Sequence, residues 1–241
     1  MDHRLAATHA QLRDDADGRL RGLRLSGPGG APVSRSGAVA EPFTDEAQQH
    51  EAATLGLWLF IASELMLFGA IFLGLAVYRL ADPAAATIAS DHLHLWLGGV
   101  NTAVLLTSSL AMALAVLAAR AGRPRPTTLW LLATAALGLM FLVLKAYEYR
   151  LEYLEGLMPG VGPPFPLDRP VELFFNLYFV STGLHAAHLT LGIAAVGLFA
   201  WRTARRRLPL PEHATRMEGL GIYWHFVDVV WLFLYPTLYL I

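Results

Sequence analysis

Residues 219–241 read GLGIYWHFVDVVWLFLYPTLYLI, an apolar and aromatic run that contains the ionisable residues His225 and Asp228. A run of about 20 apolar residues is what an α-helix needs to cross the hydrocarbon core of a bilayer. An ionisable side chain at that depth is costly unless it is paired, protonated or hydrated. The stretch therefore predicts a membrane helix whose polar face turns toward other helices rather than toward lipid.

Four further segments have the same character, at about residues 52–80, 93–119, 127–153 and 171–201. The chain has 241 residues, of which 55% are hydrophobic and only 15% charged, whereas soluble domains carry about 25% charged residues. We therefore expect an all-α integral membrane bundle of five transmembrane helices over residues 50–241. Residues 1–49 are polar, rich in arginine and interrupted by glycine and proline, which predicts a flexible cytoplasmic N-terminal tail.

The distribution of arginine orients the five spans. Arginines are concentrated in the tail and in the second and fourth connections, at positions 4, 13, 19, 21, 24, 35, 120, 123, 125, 202, 205, 206, 207 and 216. The opposite side has only Arg79, Arg150 and Arg169. The positive-inside rule then places the N-terminus in the cytoplasm and the C-terminus outside, as an odd number of spans requires. The connection at residues 156–170 has five prolines, which predicts an extended outer loop.

Composition also limits the chemistry. The chain has no cysteine, which excludes disulfides, thiolate metal sites and haem attached through a Cys-x-x-Cys-His motif. A redox metal would need histidine or carboxylate ligands. The net charge is −1 and the arginines lie in loops and the tail rather than on one helix face, so nucleic acid is not an expected partner.

The ionisable residues inside the spans follow helical spacing. Six of them form three pairs separated by three residues: Lys145 with Glu148, His185 with His188, and His225 with Asp228. Glu64 lies near the middle of the first span. A spacing of three places both members of a pair on one helix face. Because lipid cannot satisfy these groups, we expect the faces to turn toward the bundle or a neighbouring subunit.

The carboxylates allow two interpretations. Glu64 is either a carboxyl that exchanges protons or a protonated packing residue held by hydrogen bonds, and the residues alone leave both open. For Lys145 and Glu148, the simpler interpretation is an intrahelical ion pair near the outer end of the third span.

The histidines raise the question of a metal. His185 and His188 could share an ion, with Glu64, His225 or Asp228 completing the ligand shell. The chain lacks the paired Glu-x-x-His helices of a di-iron bundle, so hydrogen bonds between helices are the favoured interpretation, and we expect no metal. In that interpretation His188 or His225 bonds a carboxylate, and Asp228 has a buried histidine or another polar partner.

Two other residues are assigned to helix packing. Asn101 begins a run of small polar residues, NTAVLLTSS at 101–109, which suits close contact and hydrogen bonds between helices. Trp224 lies in an apolar span and is expected to fill space there.

Five blocks carry a family resemblance, in order along the chain. They are WLFIASELMLF at 58–68, NTAVLLTSS at 101–109, KAYEY at 145–149, STGLHAAHLTLG at 181–192 and YWHFVDVVWLFLY at 223–235. The sequence resembles subunit III of the haem–copper terminal oxidases, the third subunit of cytochrome c oxidase and of the related quinol oxidases. It resembles the short, five-helix bacterial form, because the two helices that precede the Glu64 helix in longer members are missing.

The resemblance implies a non-catalytic subunit without a redox centre of its own, in a bacterial inner membrane. Haem and copper would reside in partner subunits, with oxidase subunits I and II and membrane phospholipids as partners. The subunit would stabilise subunit I during turnover and help supply protons to it from the cytoplasmic side. Glu64, His185, His188, His225 and Asp228 match buried polar positions of the family.

Two alternatives differ from a cytochrome c oxidase subunit. Similar short proteins accompany nitric oxide reductases as accessory factors in denitrification, and a neighbouring gene would discriminate between these partners. A free-standing membrane metalloenzyme or transporter would instead use the buried histidines and carboxylates, and would carry stoichiometric metal or act without partners.

Overall fold

A computed structural model describes residues 46–160, 168–211 and 213–240, and every structural statement below refers to these ranges. Most of the predicted tail and half of the proline-rich connection lie outside them. The described residues contain six α-helices and no strand: α1 (Glu46–Ala81), α2 (Pro83–Asp91), α3 (Leu95–Arg120), α4 (Pro124–Leu154), α5 (Arg169–Ala204) and α6 (Ala214–Tyr239). The chain divides into two units, residues 1–53 and 54–241, and all contacts below lie within the second.

Five of these helices are long and apolar enough to cross a membrane. The spans are Glu51–Ala81, Leu95–Arg120, Pro124–Leu154, Arg169–Ala204 and Ala214–Tyr239. The predicted all-α fold with five transmembrane helices is thus confirmed.

The short helix α2 lies in a stretch that the sequence analysis treated as a connection. Asp82 caps it, because its carboxylate accepts a hydrogen bond from the backbone N–H of Ala85 at 3.0 Å, and Pro83 occupies the first turn. Aspartate followed by proline is a favoured helix start, since proline has no N–H to leave unpaired there. Proline also occupies the first turns of α4 and α5, and Gly156 follows α4 with a positive φ of 73° that suits glycine.

The core of the second unit is a four-helix arrangement. Helix α4 packs between α3 and α5, and α6 packs on both α3 and α5. The fully buried indole of Trp224 on α6 fills the centre, where it faces Gly138 on α4 and Gly192 on α5. A Cβ atom at Gly138 would lie 2.9 Å from the indole, so only glycine lets the helices approach this closely.

Helix α1 meets the other helices mainly through aromatic side chains. Phe68 lies against Phe226 of α6, and the Tyr78 hydroxyl donates to the Pro170 carbonyl of α5 at 2.8 Å. Its other side exposes large apolar residues, among them Leu59 and Met66. Such a surface is suited to lipid or to another membrane subunit.

Candidate functional site

Lys145 lies at the centre of a polar network between α4, α5 and α6. Its Nζ donates to Glu148 Oε2 at 3.0 Å, to the Tyr178 hydroxyl at 2.8 Å and to the Tyr239 hydroxyl at 2.7 Å. Each tyrosine hydroxyl in turn donates a hydrogen bond to a carboxylate: Tyr178 to Glu152 Oε1 and Tyr239 to Glu148 Oε1, both at 2.6 Å. All five side chains are buried. An ammonium group has three N–H donors, so every donor of Lys145 is used.

Aromatic rings complete the surroundings of the ammonium group. Its Nζ lies 4.6 to 5.4 Å from the centroids of four rings: Tyr149, Tyr178, Trp231 and Tyr239. The negative faces of aromatic rings attract a cation. Within the network only Glu152 has an unsatisfied polar atom, its buried Oε2, which has no hydrogen-bond partner among the described residues. The network is therefore nearly closed, which suits a structural role.

The sequence analysis named Lys145 and Glu148 but missed Glu152, Tyr178 and Tyr239. Glu152 had a signal, since it follows Glu148 by four residues and so shares its helix face. The two tyrosines come from α5 and α6 and had no signal, because helical periodicity does not reveal which helices are neighbours.

A second polar contact joins α1 to α5. Glu64 Oε2 lies 2.8 Å from Nε2 of His188, and both side chains are only slightly exposed. The ring also packs edge-on against Phe68, with centroids 5.2 Å apart. The other ring nitrogen, Nδ1, lies 2.8 Å from the Leu184 carbonyl, and the Tyr223 hydroxyl donates to the backbone carbonyl of His188 at 2.9 Å.

The hydrogen bonds of His188 fix only one of its ring nitrogens. A carbonyl oxygen can only accept, so Nδ1 carries a proton and donates to Leu184. Nε2 lies within ion-pair distance of Glu64 Oε2, but that oxygen has no well-aligned hydrogen-bond partner among the described residues. The contact is therefore a close approach of an imidazole and a carboxyl that is not aligned as a hydrogen bond.

His185 lies on the same helix but in different surroundings. It is fully buried, packs against Phe141 and Trp231 with centroids 5.5 and 5.3 Å away, and neither ring nitrogen has a hydrogen-bond partner in the described chain. His188 instead faces Glu64. The two histidines thus lie in separate surroundings, and among the described residues no three histidine or carboxylate side chains gather in a way that could hold a metal ion.

His225 and Asp228, the pair on α6, also lie in different surroundings. His225 Nδ1 lies 2.6 Å from the Ser109 hydroxyl of α3, while Asp228 is buried. Neither oxygen of Asp228 has a partner at good hydrogen-bond geometry within the described residues, although the Ser109 hydroxyl lies beside it. Asp228 was expected to have a buried histidine or another polar partner; within the described residues neither forms a well-aligned hydrogen bond with it, and the nearby Ser109 and His225 bond each other.

The residues assigned to packing lie between α3 and α6. Trp224 donates its indole N–H to the Ser108 hydroxyl at 3.1 Å, and Trp231 donates to Thr102 at 3.0 Å. Asn101 is fully buried, and its amide has no partner in the described chain. The small polar run of α3 thus anchors both tryptophans of α6.

Comparison with known proteins agrees with this architecture. The family model described as cytochrome c oxidase subunit III matches residues 44–241. A protein of Staphylococcus epidermidis named as a probable quinol oxidase subunit 3 is 30% identical over 200 residues, covering 82% of this chain and 94% of the relative. Proteins of the same name from Staphylococcus haemolyticus and Staphylococcus aureus are 28% and 29% identical over the same share of each chain.

Proposed function

This chain belongs to the cytochrome c oxidase subunit III family and is the third subunit of a haem–copper oxidase, and we propose that it stabilises subunit I and supports its proton uptake. In this proposal the redox chemistry takes place on haem and copper in the partner subunits. The chain itself supplies helix surfaces and a proton-holding contact. Subunits I and II and membrane phospholipids are the proposed partners.

The contact of Glu64 with His188 is the observation that carries the proton-uptake proposal. In this proposal the two residues exchange one proton, and the observation behind it is that their side chains approach to 2.8 Å between two helices without being fully buried. A carboxyl and an imidazole that share a proton can accept one and release one with little rearrangement. Such a pair is suited to buffering protons beside the uptake path of subunit I.

The stabilising role rests on the outer surface of the bundle. Large apolar side chains of α1, including Trp58, Leu59 and Met66, are more than half exposed. Surfaces of this kind in a membrane subunit are covered by lipid or by a neighbouring subunit. We propose that subunit I covers part of this surface and is held there against loss of structure during turnover.

The electron donor is a separate question, because the donor would bind elsewhere in the complex. The sequence resemblance covered both cytochrome c oxidases and quinol oxidases, with a cytochrome c oxidase subunit as the assignment made, while the printed names of the staphylococcal relatives favour a quinol. Those names also favour oxygen as the acceptor over nitric oxide. Oxidation of reduced cytochrome c and of a quinol by the purified complex discriminates the two donors.

Copurification tests the assignment of partners. The tagged chain is purified in mild detergent from its native membrane, its optical spectrum is recorded and the accompanying proteins are identified. We expect haem absorbance together with an oxidase subunit I. A colourless chain without partners, or one that copurifies with a nitric oxide reductase, would contradict the proposal.

A further inference from the structure

Glu148 and Glu152 are two buried carboxyls on one face of α4, but they differ in their hydrogen bonds. Both side chains are 0% exposed. Glu148 accepts a hydrogen bond on each oxygen, from Lys145 Nζ at 3.0 Å and from the Tyr239 hydroxyl at 2.6 Å. Glu152 accepts one on Oε1, from the Tyr178 hydroxyl at 2.6 Å, and its Oε2 has no partner among the described residues. The two carboxyls are therefore not equivalent, although they lie about one turn apart.

The charges of the network do not balance if both carboxyls are ionised. Lys145 forms an ion pair with Glu148, whereas Glu152 has no ion pair among the described residues. The two tyrosine hydroxyls that contact Lys145 Nζ must accept from it, because each donates its own hydrogen to a carboxyl. The Nζ atom therefore carries three hydrogens and a positive charge, which Glu148 neutralises. An ionised Glu152 would be a second negative charge without a counter-charge.

The surroundings of Glu152 offer no second cation. The titratable groups that face it within the described chain are Lys145, Glu148 and Tyr149 on its own helix, Glu155 just beyond it, Tyr178 on α5 and Tyr239 on α6. Only the lysine among them carries a positive charge. Residues 161–167 of the connection that follows read VGPPFPL, a sequence without a charged side chain. A counter-charge for Glu152 must therefore come from outside the chain, or the carboxyl must be neutral.

A proton on Oε2 of Glu152 removes the imbalance. A buried anion without a partner is far more unfavourable than a buried neutral group without one. A protonated Glu152 still accepts the hydrogen bond of Tyr178 on Oε1. A proton on Glu148 would instead meet a donor at either oxygen, because the Lys145 ammonium and the Tyr239 hydroxyl already point at them. The hydrogen bonds thus favour Glu152 as the neutral carboxyl and Glu148 as the ionised one.

We propose that Glu152 is a proton-binding site, whose carboxyl holds a proton in the folded chain at neutral pH and so makes the Lys145 network electrically neutral. Glu148 is then the counter-ion of Lys145, and Glu152 is a neutral acceptor for Tyr178. The proton is held to balance charge within the bundle. This assignment concerns the end of α4 and depends neither on Glu64 nor on the identity of the partner subunits.

A site of this kind links the stability of the chain to pH. A glutamate in the unfolded chain is ionised at neutral pH, so the folded chain binds one proton more than the unfolded chain. A rise in pH therefore favours the unfolded state, and one proton lowers the folding equilibrium constant about tenfold per pH unit. The loss continues until Glu152 ionises within the folded chain.

The direct test is the infrared spectrum of the purified full-length chain in detergent at neutral pH. A protonated carboxyl has a C=O stretching band that a carboxylate lacks. We expect Glu152→Gln to remove one such band from the spectrum of the unmodified chain, and Glu155→Gln, which replaces an exposed carboxyl three residues away, to remove none. The proposal is overturned if Glu152→Gln removes no band. It is also overturned if sodium or potassium ions stabilise the unmodified chain and Glu152→Gln abolishes that effect, because a cation would then occupy the site.

Stability provides the second test, with Glu148→Gln as the matched variant. Glutamine is a neutral replacement for a protonated carboxyl, so we expect Glu152→Gln to be recovered in the oxidase complex in near-normal amount. Glu148→Gln removes the counter-ion of Lys145 and should lower recovery about tenfold or more. Equal losses in the two variants would show that both carboxyls are ionised and would overturn the proposal.

The pH dependence of unfolding completes the test. In denaturant unfolding of the full-length chain at pH 6, 7 and 8, the folding equilibrium constant of Glu152→Gln relative to that of the unmodified chain should rise about tenfold per pH unit. The rise follows because the unmodified chain loses its proton-linked stability while glutamine does not titrate. A ratio that stays constant or falls with pH would overturn the proposal.

Discussion

The Lys145 network and the Glu64–His188 contact both join ionisable side chains from different helices. They differ in how many of their polar atoms have hydrogen-bond partners. Around Lys145, every ammonium hydrogen and both oxygens of Glu148 are engaged, and the group is sealed inside the bundle. Glu64 and His188 approach to 2.8 Å between two helices, but Glu64 Oε2 has no well-aligned hydrogen bond within the described residues and both side chains remain slightly exposed. A saturated network holds helices in one arrangement, whereas a pair with an exchangeable proton can change its charge state without unfolding its surroundings.

The difference indicates that burial of an ionisable residue in a membrane bundle does not by itself mark a functional site. Lys145 is the most deeply buried cation of the described chain and is assigned here to structure. Glu64 is less buried and is proposed to handle protons. We propose that the completeness of the hydrogen bonding, rather than depth, discriminates the two roles.

The largest expected effect comes from Lys145→Met. Removing the cation leaves Glu148 and Glu152 buried beside each other, and breaking a buried ion pair in this way costs about 3–5 kcal/mol of stability. We expect little or no subunit to be recovered with the complex, measured by its stoichiometry after purification. The double variant Lys145→Met with Glu148→Gln should recover better than the single one, and equal losses in both would show that the pair does not act as a unit.

A smaller loss is expected from Tyr239→Phe. The change removes the donor to Glu148 and an acceptor of Lys145, so it should cost about 1–3 kcal/mol in thermal or denaturant unfolding of the subunit. Tyr235→Phe is the matched control, because that hydroxyl reaches only the Leu95 carbonyl at 3.4 Å, and it should cost less than about 0.5 kcal/mol. Similar losses in both variants would mean that the network is not a source of stability.

Asp228→Leu tests the contribution of a buried carboxyl that has no well-formed hydrogen-bond partner in the described chain. Because Asp228 has no well-formed partner in the described chain, its removal should change the free energy of unfolding of the isolated subunit by less than about 1 kcal/mol. Loss of subunit I from the purified complex, with the isolated subunit still folded, would place the partner of Asp228 in the neighbour. Strong destabilisation of the isolated subunit would instead contradict the contacts described here, and Asp228→Asn controls for the volume change.

The sequence was sufficient to predict the five spans, because length and apolarity alone determine them, and the blocks at 181–192 and 223–235 were specific enough to predict the family. A contact between a histidine and a carboxylate was also expected, but not which histidine. His188 and His185 share a sequence block, yet one meets Glu64 and the other is enclosed by Phe141 and Trp231. That outcome depends on which helices are neighbours and on their rotation, which helical periodicity does not specify.

Substitution Glu64→Gln in the intact oxidase tests the central proposal most directly, with the smallest effect on stability. Glutamine keeps the shape of glutamate but cannot exchange a proton, so we expect the subunit composition of the complex to be normal. We expect the oxygen-consumption rate to fall about tenfold at alkaline pH. Tenfold is the lower end of the range by which a charged site accelerates the arrival of an ion. Glu51→Gln, an exposed carboxyl on the same helix, should leave the rate unchanged. An unaltered rate from pH 6 to 9 in the Glu64 variant would contradict a role for this pair in proton uptake.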